Sequence, residues 1–76
     1  MFSRELVINQ VYRHKATGQL FRVLVIGEGY EYVEYRAESN YTGRGCALAP
    51  KVGEVRRVTN VAQWAGNVRL WQGDAA

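Results

Sequence analysis

The chain is expected to fold as an all-β domain: a small, strongly bent antiparallel sheet of five to six short strands, with one helical or 3₁₀ turn before the last. Three observations predict it. The densest β-forming stretch, Leu20 to Ala37, consists of two arms rich in β-branched and aromatic residues, parted by the turn-forming Gly27-Glu28-Gly29. Glycine and proline recur at short intervals on either side of that hairpin, at Gly18, Gly43, Gly45, Pro50, Gly53 and Gly66. No stretch between the third and fourth expected strands carries a helix-length apolar period.

Taken in order, Met1 to Glu5 carry too little pattern to assign, and Leu6-Val7-Ile8 read as an edge strand or an N-terminal arm packed on the core. Val11 to His14 form a strand, and Lys15 to Gln19 a turn in which Gly18 supplies a positive φ. Leu20 to Ile26 follow. Alternation places Phe21, Val23 and Val25 on one face, with Leu20, Arg22, Leu24 and Ile26 on the other. Both faces are largely apolar, as expected of a central strand in a sheet that folds on itself, or of one that meets a second copy of the chain. In the return arm Val33, Tyr35 and Ala37 face inward, whereas Tyr32, Glu34 and Arg36 face solvent.

Glu38 to Gly45 make a polar loop with Tyr41 and Arg44 at its centre. Cys46 to Ala49 read as a short strand ended by Pro50, which lacks the ladder donor. Lys51 to Glu54 turn the chain into a strand from Val55 to Val58, with Val55 and Arg57 opposite Arg56 and Val58. Thr59 or Asn60 can cap one helical turn that Gly66 ends, and this turn throws Trp64 onto the core. Asn67 to Trp71 form the last strand, with Val68 and Leu70 on one face, and 72–76 are expected to fray. The pattern as a whole is that of a small SH3-like barrel, a single domain with its core between residues 6 and 71. An OB-like barrel would place a proper helix between its third and fourth strands.

The stretches Val11-Tyr12-Arg13-His14, Gly18, Leu20-Phe21-Arg22-Val23-Leu24 and Val33-Glu34-Tyr35-Arg36-Ala37 resemble a family of short bacterial proteins known as a domain of unknown function. Members open on Tyr-Arg-His, pass through a glycine turn and an aromatic-x-Val strand, and close on an arginine-containing strand followed by an aromatic. Val55-Arg56-Arg57-Val58 with Trp64 corresponds to that last piece. The resemblance spans roughly residues 10 to 65 and is interrupted by a longer middle segment, Tyr41 to Glu54. It implies a small β-barrel and carries no activity.

At 76 residues, with 47% hydrophobic and 22% charged side chains, the chain has the composition of one small globular domain. One cysteine, Cys46, excludes an internal disulfide, and one histidine, His14, does not complete a zinc site, so no metal or cofactor is expected. No signal-like or membrane-spanning apolar run occurs, which places the protein in the cytoplasm. The net charge of +3 comes from eight arginines and two lysines against seven acids. Arginine suits planar contacts to phosphate or carboxylate, though a GC-rich genome gives the same bias.

Two surfaces follow from these residues. Exposed aromatics and arginines dominate protein contacts, so Tyr32, Arg36, Tyr41 and Arg44, with Trp64, define a protein-interaction or inhibitor-type module. Its alternative is nucleic-acid binding by Arg13, His14, Lys15, Arg22, Tyr32, Arg36, Tyr41 and Arg44, cations tracking phosphates and rings stacking on bases. Glu28, Glu31, Glu34 and Glu38 interleave with these cations, the pattern of cross-strand ion pairs on a solvated face. Arg56 and Arg57 point to opposite faces and form no patch. The second apolar face of Leu20 to Ile26 would serve a homodimer. His14 has no oriented partner or nucleophile and reads as a hairpin histidine satisfied by backbone; Cys46 reads as a buried thiol. Glu31 and Glu34 do not form a carboxylate dyad, and Gly27-x-Gly29 and Gly43-x-Gly45 precede no helix that would hold a phosphate. The expected function is therefore non-catalytic binding, and an enzyme would require a site assembled at a symmetry axis.

Overall fold

The computed structural model describes residues 6–41 and 49–71. Within them lie five antiparallel strands in one sheet and one short helix: β1 (Val11–His14), β2 (Leu20–Ile26), β3 (Val33–Ala37), β4 (Val55–Val58), α1 (Val61–Gly66) and β5 (Val68–Leu70). Sheet order is β4-β3-β2-β1-β5, so consecutive hairpins build four strands and the last returns to pair with the first. The loop after Tyr41, the expected strand at Cys46 to Ala49 apart from Ala49 itself, which stands in a bend, and the tail at 72–76 lie outside the described residues.

Turn chemistry explains each hairpin. Gly18 closes β1–β2 at φ +77, and Gly53 turns the chain into β4 at φ +87, conformations that cost a residue with a Cβ. Between β2 and β3 the chain makes a 3₁₀ turn over Glu28–Tyr30, in which Gly29 and Tyr30 both take positive φ. Gly27 opens that turn for another reason. A Cβ there would collide with the Tyr32 ring, which packs directly on its backbone. The Gly27 amide donates to the Tyr32 carbonyl at 2.8 Å, which pins the two ends of the connection.

Alternation along β2 departs from expectation at one point. Val23 pairs with Tyr35 and Val25 with Glu34, so Leu24 is an extra residue, a β-bulge that reverses the face of everything after it. Val25, expected inward with Phe21 and Val23, is turned out at 38% exposure, and Ile26 packs on the core in its place. The Leu6 segment is an arm and not a strand: Leu6 is buried, whereas Val7 and Ile8 are exposed where the chain turns at Asn9 (φ +73). Leu70 shares a face with Val68 but stands 46% exposed, because β5 is a short strand at the end of the sheet order and only its first residue is sealed.

The core gathers Leu6, Tyr12, Phe21, Val23, Val33, Ala37, Val61, Trp64, Ala65 and Val68. Asn60 caps α1 by accepting from the Gln63 amide at 3.2 Å, and this sets the register that drives Trp64 inward. There Trp64 stacks on Tyr35 at 4.8 Å between centroids, and Phe21 meets Tyr35 edge-on at 4.9 Å. Gln19 is the buried polar side chain of the described residues. Its Nε2 donates to the carbonyls of Pro50 (2.6 Å) and Ser39 (3.1 Å), tying both ends of the long β3–β4 connection to the first hairpin.

Candidate anion-binding face

Four of the eight cations among the described residues, Arg22, Arg36, Arg56 and Arg57, are ion-paired to neighbouring carboxylates. Arg22 and Arg36, cross-strand partners on β2 and β3, share the Glu38 carboxylate at 3.2 and 2.8 Å. Those hydrogen bonds, Arg36 foremost, hold the Glu38 carboxyl below its ordinary pKa. Arg57 reaches Glu34, its register partner on β3, at 2.9 Å, and its guanidinium also lies 4.3 Å over the Tyr32 ring. Arg56 pairs with Glu54 at 2.8 Å. Of the interleaved acids, Glu34 and Glu38 thus form ion pairs as their alternation foretold, whereas Glu28 and Glu31 lie in or beside the β2–β3 turn and make none of these pairs.

The β1–β5 edge of the sheet is different. Arg13 and Arg69 are direct cross-strand partners. Two like charges in that relation repel, and no carboxylate among the described residues is within ion-pair distance of either. Lys15 joins them because its amide donates to the Asn67 carbonyl at 2.8 Å, which holds the hairpin turn against the start of β5. Together Arg13, Lys15 and Arg69 line a recess of about 200 Å³.

His14 builds this corner without contributing charge to it. Its Nδ1 accepts from the amides of Ala16 and Thr17, both at 3.3 Å, and so shapes the turn that carries Lys15. The ring stands edge-on to Phe21 at 6.3 Å, and burial pushes its pKa down, as the acceptor role of Nδ1 requires. The histidine is satisfied by backbone, as its place in the hairpin implied.

Of the residues singled out from sequence, Arg13 and Lys15 lie in the group without a carboxylate partner among the described residues. Arg22 and Arg36 are held together by Glu38, and Tyr32 lies under Arg57. Tyr41 is half-buried and has an interaction partner. Trp64 is a core side chain at 8% exposure, and Arg44 lies outside the described residues. Arg69 was missed. It is fifty-odd residues from Arg13 in the chain, and only the β1–β5 register brings them together. A signal was nevertheless present: the chain has no acid from residue 6 to 27 and none from 55 to 73, and β1 and β5 fall one in each stretch.

Among the described residues no group of three or more potential metal ligands is gathered, and no helix is long and apolar enough to cross a membrane. Comparison with protein families, with curated proteins and with solved structures returns no match.

Proposed function

We propose that the chain is a small non-catalytic module that binds nucleic acid through the outer face of β1 and β5, on a sheet that coils into an SH3-like barrel. The observation that carries the reading is the convergence of Arg13, Lys15 and Arg69 on one recess with no carboxylate among the described residues to neutralise them. Phosphates set along a backbone satisfy such a row of cations and remove its internal repulsion. The strand order, with a helical turn leading into a last strand that rejoins the first, supports the barrel. A non-catalytic role is supported by His14, whose Nδ1 is engaged by backbone amides and is not free to act as a base. The protein-interaction surface centred on Tyr32 and Arg36 draws less support, since both side chains are already engaged within the molecule.

Fluorescence anisotropy with a labelled mixed-sequence oligonucleotide tests the proposal. Affinity should fall steeply with salt, with a log–log slope near about −2 if three cations contact single-strand phosphates. The double variant Arg13→Gln/Arg69→Gln should lose most of that affinity, and Arg57→Gln should retain it. Absence of binding at low salt overturns the proposal.

A further inference from the structure

We infer that the nucleic acid bound at this face is single-stranded, and that Trp71 is the platform on which a base stacks. The inference rests on the nucleic-acid reading and names the form of its ligand. The Trp71 amide donates to the Val11 carbonyl at 3.0 Å, which continues the β1–β5 ladder one pair beyond Tyr12↔Leu70. Two residues apart on an extended chain, Arg69 and Trp71 fall on the same side of the sheet, about 7 Å from one another. Val11, the β1 residue opposite Trp71, is half-buried and lies two residues from Arg13 on the same face of the strand. A row of cations with an exposed indole at its end is thereby set along one face.

The two tryptophans divide the work. Trp64 is buried in the aromatic stack of the core, whereas Trp71 is 36% exposed. The other exposed aromatic side chain among the described residues, Tyr30, stands in the β2–β3 turn between Glu28 and Glu31, where a phosphate backbone would be repelled. Cations and an available ring coincide at the β1–β5 edge. A duplex keeps its bases stacked inside and would offer this edge only phosphates, so the indole would gain nothing unless a base step were opened. A single strand presents bases and phosphates side by side, and stacking tolerates any sequence.

Titration at low salt with one mixed-sequence oligonucleotide, as a single strand and as the blunt duplex, provides the test. The single strand should bind more tightly and quench indole emission. Trp71→Ala should weaken single-strand binding roughly tenfold, abolish the quench and leave duplex binding unchanged, and Trp71→Phe should recover part of the affinity. An emission maximum of the buried Trp64 unshifted to longer wavelength reports that the variants are folded. Equal affinity for both forms with no effect of Trp71→Ala overturns the inference while leaving nucleic-acid binding in place. Binding to neither form overturns the nucleic-acid reading itself. Displacement of the oligonucleotide by polyglutamate at equal charge concentration, without a quench, overturns both in favour of an acidic protein partner.

Discussion

His14 and Gly27 show how single positions hold the two hairpins in shape. The imidazole accepts two backbone hydrogen bonds through Nδ1, so only a form with that nitrogen unprotonated supports the turn. Burial lowers its pKa in the folded chain, and the nearby Arg13 and Lys15 add no stabilisation to the imidazolium. For a base whose folded pKa is depressed, the stability contribution is complete above the unfolded value and is lost as pH falls toward the folded one. The melting temperature should therefore decline as pH is lowered from roughly 7 to 5. His14→Asn, whose side chain can accept the same amides without titrating, should flatten that decline. An unchanged decline in the Asn variant would remove His14 as its origin.

Gly27 is constrained by space and not by dihedral angle, since its φ of −66 is open to any residue. Gly27→Ala must displace the Tyr32 ring and with it the Arg57 cation–π contact, and should cost about 1–3 kcal/mol. At Gly29 the constraint is the reverse: nothing crowds its Cβ position, but φ is +67, so Gly29→Ala should cost about 1 kcal/mol through backbone strain. Urea denaturation of the two variants measures both, and a Gly27 variant milder than the Gly29 variant would contradict the assignment.

Among the elements, β1, β3 and β4 behave as their alternation dictates, because none of them carries an extra residue; the one register shift falls on β2. The centre of β2 was not legible. A bulge leaves the local composition unchanged, and Leu-Val-Ile around Leu24 offers an apolar residue to either face whichever way the chain is turned. The last helical turn was legible from its ends, Asn60 and Gly66, which fix its position more firmly than its own short apolar pattern. What escaped sequence reasoning was the β1–β5 pairing, a contact between distant segments that local periodicity does not encode, and with it the partnership of Arg13 with Arg69. That pairing carries an energetic signature. Arg13→Gln/Arg69→Gln removes a like-charge cross-strand pair and should raise stability by about 0.2–1 kcal/mol in low-salt urea denaturation, while weakening ligand binding. A marked loss of stability would show that the two arginines hold the sheet together and do not oppose one another.

Across the whole molecule charge is sorted along the sheet. The described acids fall between residues 28 and 54, so the arginines of β2, β3 and β4 have carboxylate partners there, while the β1–β5 end carries Arg13, Lys15 and Arg69 without described acids beside them. A net charge of +3 is modest, but three described cations without a described carboxylate beside them share one face, where their field acts over a Debye length of about 8–10 Å at ordinary salt. Composition disclosed the excess of arginine; only the fold disclosed which arginines are free of carboxylates among the described residues. Amide chemical shifts recorded by NMR during titration with a single-stranded oligonucleotide test that placement most directly. Shifts concentrated at Arg13, Lys15, Arg69 and Trp71, with Glu34, Arg36 and Arg57 unmoved, are the predicted result; shifts centred on the β3–β4 face, or spread evenly over the sheet, would contradict it.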